Sequence, residues 1–160
     1  MSQSTPTSQT PTIEGARVAI VRAEWNSHIT LPLAISARET LLGHGLKEED
    51  VDTFEVPGTI ELTFGASQLI ESSQYDAVIA VGCVVRGDTP HFDYVCQSVT
   101  QGITQLNADV DTPVIFCVLT VENDAQATAR IKGGKVGDKG AEAGEAALRM
   151  IAFKRRVDAL

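Results

Sequence analysis

Basic residues are scarce in this sequence: 13 Lys and Arg face 21 Asp and Glu, for a formal net charge of −8. A nucleic-acid-binding surface would need clustered cations to displace counterions from phosphates, so that class of partner is excluded. Cysteine is also sparse. Cys83, Cys96 and Cys117 lie inside apolar segments, with no C-x-x-C pair and no histidine at metal-ligand spacing, which excludes a disulfide framework and a zinc site and leaves reduced core thiols that suit the cytoplasm. No apolar run approaches the roughly 18 to 20 residues that cross a bilayer, because Gly, Pro or a charge interrupts each one. Catalytic signatures are missing as well. Gly43-His44-Gly45 lacks a third glycine and follows a helix-like segment, and there is no Walker loop or G-x-S-x-G elbow. Hydride transfer, phosphoryl transfer and serine hydrolysis lose weight accordingly.

What the 160 residues do contain is enough apolar material, 43%, for one sizeable core. Met1 to Thr12 is a Ser/Thr/Pro/Gln stretch with neither a basic start nor an apolar run, and it reads as a mobile tail. Residues 13–160 read as one domain. Strand-like and helix-like segments then alternate. Strands are expected at Arg17 to Arg22, Val51 to Val56, Asp76 to Val85 and Pro113 to Leu119. Helices are expected from about Leu31 to Leu42, Thr59 to Glu71, Asn123 to Ile131 and Gly140 to Phe153. A further helix carries Phe92, Val95, Cys96, Val99, Ile103 and Leu106 at the 3.6-residue period. This alternation predicts an α/β fold, a parallel four-stranded sheet with helices on both faces as a three-layer αβα sandwich. Ligands on such sheets bind beyond the carboxyl ends of the strands. That rule selects Ala23 to His28, Val56 to Glu61, Val85 to His91 and Leu119 to Asn123.

The turn Arg86-Gly87-Asp88-Thr89-Pro90-His91 joins the most apolar strand to the most periodic helix. Asp88 or Thr89 can cap, Pro90 suits the first helical position, and free amides there can bind a phosphate or carboxylate. A plain capped helix start explains the same residues. His91 stands where a general acid or base would be useful, since an imidazole can take and return a proton near neutrality. A merely hydrogen-bonded histidine is the alternative. His44, between two glycines, suits a C-cap, and His28 lies on a polar stretch where exposure suffices. Trp25, the only tryptophan, could stack on a planar heterocycle or pack against a helix. Glu61 either favours a helix dipole or accepts hydrogen bonds from a polyol. Arg130 and Lys139 flank a Gly-rich stretch, and either can meet a phosphate or remain solvated.

Taken together, four segments in order resemble the lumazine synthase family: GCVVRGDTPHFDYV from Gly82 to Val95, VPGTIEL from Val56 to Leu62, PVIFCVLTVEN from Pro113 to Asn123, and Asp138-Lys139-Gly140. The resemblance runs from Arg17 to about Ile151, and the Thr-Pro-His motif favours this family over the related archaeal riboflavin synthases. It implies a flavodoxin-like fold whose sheet an N-terminal segment extends in the oligomer. It also implies condensation of 5-amino-6-(D-ribitylamino)uracil with 3,4-dihydroxy-2-butanone 4-phosphate, without any cofactor or metal. Trp25 matches the aromatic position that stacks on the pyrimidine, where many relatives carry Phe. Thr59, Ile60 and Glu61 match the segment that holds the ribityl chain and ring, and Cys83, Val84 and Val85 match backbone contacts to the pyrimidine. Asp88 and Thr89 match the phosphate-binding turn and His91 the proton-transfer histidine. Phe116, Arg130 and Lys139 match groups given by a neighbouring subunit, with Arg130 clamping phosphate. Asp88 stands where relatives often have Glu, Gln or Ala, and Thr59 replaces a common Ala. The resemblance further implies homopentamers, in some members assembled into icosahedral shells, and riboflavin synthase as a partner. A non-catalytic flavin or lumazine carrier and a purely structural shell protein are the competing readings.

Overall fold

The computed structural model describes residues 9–160. The tail reading therefore lies, for residues 1–8, outside the described residues. Four strands, β1 (Val18–Ala23), β2 (Val51–Val56), β3 (Ala77–Val85) and β4 (Val114–Val121), form one sheet in the order β2-β1-β3-β4. Every pairing is parallel, with Ile20 opposite Thr53 and Ile79, and Ala80 opposite Phe116. Among the described residues five α-helices accompany them: α1 (Ser27–Gly43), α2 (Leu62–Glu71), α3 (His91–Asp109), α4 (Asp124–Thr128) and α5 (Lys139–Asp158).

Alternation of side chains along the central strands divides the interior into two cores. Val18, Ile20, Ile79, Val81, Cys117 and Leu119 face α1 and α5, where Leu33, Leu41, Leu148 and Ile151 cover them. Ala19, Val21, Val78, Ala80, Val114 and Val118 face α2 and α3, meeting Leu62, Ala66, Val99 and Ile103. Both faces of β1 and β3 are thus covered, which is why β3 reads as a continuous apolar run and β1 departs from one only at Arg22. The flavodoxin-like α/β expectation holds.

Several boundaries differ from the sequence reading, each for a local reason. α1 begins at Ser27, not near Leu31, because Asn26 adopts a left-handed conformation (φ 57°) and its carbonyl accepts the Ile29 and Thr30 amides. Pro32 lies inside this helix, past its first turn, so the His28 carbonyl receives no amide from it. His28 is accordingly helical, and its Nε2 lies 2.5 Å from Asp124 Oδ1 at the start of α4. α2 begins at Leu62, since residues 59–61 form a turn after Pro57 and Gly58. α4 is only five residues long. Beyond it the chain folds back through turns that include Gly133 and Gly137 at positive φ, and a Cβ at Gly134 would lie 2.4 Å from the Ala129 carbonyl oxygen. β4 runs on to Val121, past Leu119. α5 starts at Lys139, where Asp138 accepts the Gly140 and Ala141 amides at 3.0 and 3.1 Å, and continues beyond Phe153 to Asp158. Its Ala- and Gly-rich composition has a packing cause: a Cβ on Gly140 would sit 2.3 Å from the Leu33 carbonyl oxygen, so α1 and α5 touch backbone to backbone.

Candidate active site

β1 is the point where the sheet order reverses, because the chain moves from β1 to β2 on one side and then to β3 on the other. The loops leaving β1 and β3 diverge there and open a crevice beyond the carboxyl ends of the strands. A cleft of about 440 Å³ occupies this place. Trp25 and Asn26 line it from the end of β1, Pro57 to Glu61 from the end of β2, and Cys83 to Val85, Gly87, Thr89 and His91 from the end of β3 and the start of α3. Three of the four expected segments contribute. The fourth, Leu119 to Asn123, does not, because β4 is the far edge strand and its loop opens beside α4.

Each wall has its own support. Trp25 is 75% exposed, with its backbone amide donating to the Pro57 carbonyl at 3.2 Å. Asn26, which sequence reasoning passed over, donates from Nδ2 to the Cys83 carbonyl at 2.9 Å and so bridges β1 to β3 across the cleft floor. The available signal was that Asn, with Gly, tolerates left-handed backbone where a turn demands it. Thr59 is buried under Gly82, where a Cβ would come within 3.0 Å of Thr59 Oγ1 and 2.9 Å of Leu62 Cδ1. Gly82 therefore lets the β2–α2 turn close down on the sheet. Glu61 stands at the N-cap of α2, not in its first turn, and it caps no amide with its side chain.

The turn before α3 is fastened by charge. Arg86 pairs with Asp93 at 3.0 Å and with Glu122 at 2.8 Å, and its guanidinium lies 4.1 Å from the centre of the Phe92 ring. Asp93 is thereby committed to Arg86. Thr89 Oγ1 accepts the His91 amide at 3.4 Å, a weak version of the expected cap, and Pro90 is the N-cap residue instead of the first helical one. His91 is exposed at the cleft mouth, and among the described residues its imidazole has no hydrogen-bond partner. Cys83 turns its thiol into the α1/α5 core while its carbonyl meets Asn26. Burial, with a smaller effect from Asp124, pushes that thiol up to about 11, so it is protonated near neutrality and unsuited to nucleophilic work.

Four of the expected site residues do not line this cleft. Asp88 is exposed on the turn, and Phe116 is 43% exposed on the edge strand β4. Arg130 and Lys139 lie together elsewhere: the Lys139 amide donates to the Arg130 carbonyl at 3.0 Å, Arg130 Nη1 donates to the Gln126 carbonyl at 2.7 Å, and Lys139 Nζ pairs with Glu142 at 2.8 Å. Hence the described cleft lining has an imidazole and a carboxylate but no Lys or Arg. Among the described residues no group of three or more His, Cys, Asp or Glu could hold a metal, and no helix is long and apolar enough to cross a membrane.

A parallel α/β protein with a concave, partly apolar cleft and a few converging polar groups at the switch point of its sheet has the architecture of the doubly wound class, in which such clefts take small molecules. The family profile of 6,7-dimethyl-8-ribityllumazine synthase matches residues 15–155. A 6,7-dimethyl-8-ribityllumazine synthase of Porphyromonas gingivalis is 56% identical over 139 residues, covering 87% of this chain and 86% of the relative. Another from Phocaeicola vulgatus is 51% identical over 147 residues, covering 92% and 87% respectively, and one from Flavobacterium johnsoniae is 43% identical over 146 residues, covering 91% and 76%. The chain belongs to the lumazine synthase family.

Proposed function

We propose that the cleft is where the family's reaction takes place. In it, 5-amino-6-(D-ribitylamino)uracil condenses with 3,4-dihydroxy-2-butanone 4-phosphate to give 6,7-dimethyl-8-ribityllumazine, phosphate and water, the penultimate step of riboflavin synthesis. Trp25 stacks on the pyrimidine. Thr59, Ile60 and Glu61 hold the ring and ribityl chain, with Glu61 accepting hydroxyl hydrogen bonds, and the backbone of Cys83 to Val85 reads the pyrimidine edge. The uracil amine attacks the ketone and water leaves to form an imine between the two substrates. Loss of phosphate, tautomerisation, ring closure by the ribitylamino nitrogen and a second dehydration complete the product. His91 shuttles protons through these steps. Its imidazole has no hydrogen-bond partner among the described residues, which supports that role.

One observation carries the reading furthest. A phosphate leaving group needs a cation, and the described cleft lining has none, whereas Arg130 and Lys139 are tied together away from it. The site is completed by a second copy of the chain, whose Phe116, Arg130 and Lys139 close over the cleft, with Asp88 and Thr89 presenting backbone amides to the phosphate. Exposed Ile60 and Tyr94 beside His91 at the mouth support an interface there, since apolar side chains of that size are costly to leave in water. The protein is accordingly a homopentamer or a larger shell built from pentamers, works in the cytoplasm, and can hand its product to a riboflavin synthase. Incubation with both substrates tests this directly. Phosphate release and lumazine absorbance should rise together, whereas a carrier would bind lumazine without releasing phosphate and a shell protein would do neither.

A further inference from the structure

Arg22 is the anomaly of the sheet. It lies in a strand whose six residues are all buried, and it is itself only 6% exposed. Removing a cation from water is costly and is tolerated only with strong partners. Arg22 has three. Nη1 donates to Thr30 Oγ1 at 3.1 Å and to the Ala23 carbonyl at 3.4 Å, and Nη2 pairs with Glu55 on the adjacent strand. Thr30, fully buried, donates its own hydroxyl to the same Ala23 carbonyl at 2.8 Å. Arg22 Nε, by contrast, is buried without a hydrogen-bond partner among the described residues. An apolar side chain of the same volume would serve the core at least as well, so the guanidinium is better explained by what its fork reaches.

What it reaches are the two ends of the segment that carries Trp25. Ala23 closes β1, Thr30 lies in the opening turns of α1, and residues 24–26 form the loop between them. From the other side the loop is held by the Glu24 and Trp25 amides, which donate to Val56 and Pro57, and by Asn26, which reaches Cys83, while the indole itself projects into solvent at the cleft wall. We propose that Arg22 is a positioning residue for the family's reaction, clamping both ends of the 23–30 segment so that Trp25 and Asn26 face the pyrimidine in a fixed orientation. The proposal deepens the stacking role given above to Trp25.

Because Trp25 is the only tryptophan, its time-resolved fluorescence anisotropy reports on the loop without labelling. In the assembled enzyme, Arg22→Met should lower that anisotropy and raise KM for the aminouracil about tenfold, through partial loss of a stacking contact, while kcat and KM for the butanone phosphate stay within about threefold. Arg22→Lys should recover only part of this, since one ammonium cannot reproduce the fork. Thr30→Val, which keeps the charge pair, should move both readouts the same way by a smaller factor, and it carries the test if Arg22→Met does not fold. Leu148→Ala, which opens a cavity under α5, should lower stability and leave both readouts unchanged. Unchanged anisotropy in the folded Arg22 or Thr30 variants, or an equal fall in Leu148→Ala, would overturn the proposal. A fall in anisotropy with KM unaltered would support the clamp and refute the stacking role of Trp25.

Discussion

Replacing Trp25 by alanine separates binding from folding more cleanly than any other change to the cleft. The indole is 75% exposed within the protomer, so its loss removes little buried surface and should change stability by less than about 0.5 kcal/mol. Its ligand-facing plane is another matter. Alanine substitution of an aromatic that stacks on a base costs about 1–3 kcal/mol, which corresponds to about 5- to 150-fold in affinity. The backbone of this residue is held by Pro57 and the next residue is held by Cys83, so the loop should keep its path and the loss should stay local. Calorimetric titration with 6,7-dimethyl-8-ribityllumazine gives the affinity, and a thermal melt gives the stability. The expected pattern is a large loss of affinity with an unmoved melting temperature in Trp25→Ala, and near-normal affinity in Trp25→Phe, which keeps a stacking plate. Affinity within about twofold of the original in the alanine variant would refute the reasoning.

Two further outcomes follow from the same geometry. His91→Ala should slow turnover by about 10²-fold without abolishing it, because holding two reactants together is itself worth roughly 7 to 11 kcal/mol; single-turnover lumazine absorbance measures it, and complete loss with binding intact would contradict that division of labour. Burial, reinforced by Asp138 and Glu142, pushes the Cys117 thiol up to about 12 from an ordinary 9.0. Its neutral form is favoured by folding, so this contribution is intact below pH 9 and is lost as pH rises from 9 toward 12. Melts between pH 8 and 11 should show a steeper alkaline decline in the original protein than in Cys117→Ala, and parallel curves would count against a buried thiol.

The sheet was legible because β3, covered on both faces, carries an unbroken apolar run and β1 a short β-branched one, because Pro57-Gly58 ends β2, and because the Gly-rich 132–140 stretch separates the last two helices. Helix boundaries were less so. Nothing in a hydropathy pattern shows that Asn26 would turn left-handed and start α1 before Pro32, or that Asp138 would cap α5. The cleft was legible segment by segment through the rule about strand ends, and nine of the expected residues line it: Trp25, Thr59, Ile60, Glu61, Cys83, Val84, Val85, Thr89 and His91. Arg22 and Asn26 escaped notice for opposite reasons. Arg22 reads as the polar end of a strand until its burial is seen, and Asn26 reads as loop until its bond to Cys83 is seen. Phe116, Arg130 and Lys139 could not be placed against the cleft by any argument confined to one chain.

Mixing two impaired variants tests a site shared between subunits most directly. Trp25→Ala/His91→Ala subunits keep Arg130, and Arg130→Ala subunits keep the cleft. Unfolded and reassembled together in equal amounts, they should form mixed oligomers in which about a quarter of the sites combine an intact cleft with an intact neighbouring Arg130, and activity should return to about that fraction. Mixed oligomers, verified by mass, that turn over no faster than either parent would contradict a cleft completed by its neighbour.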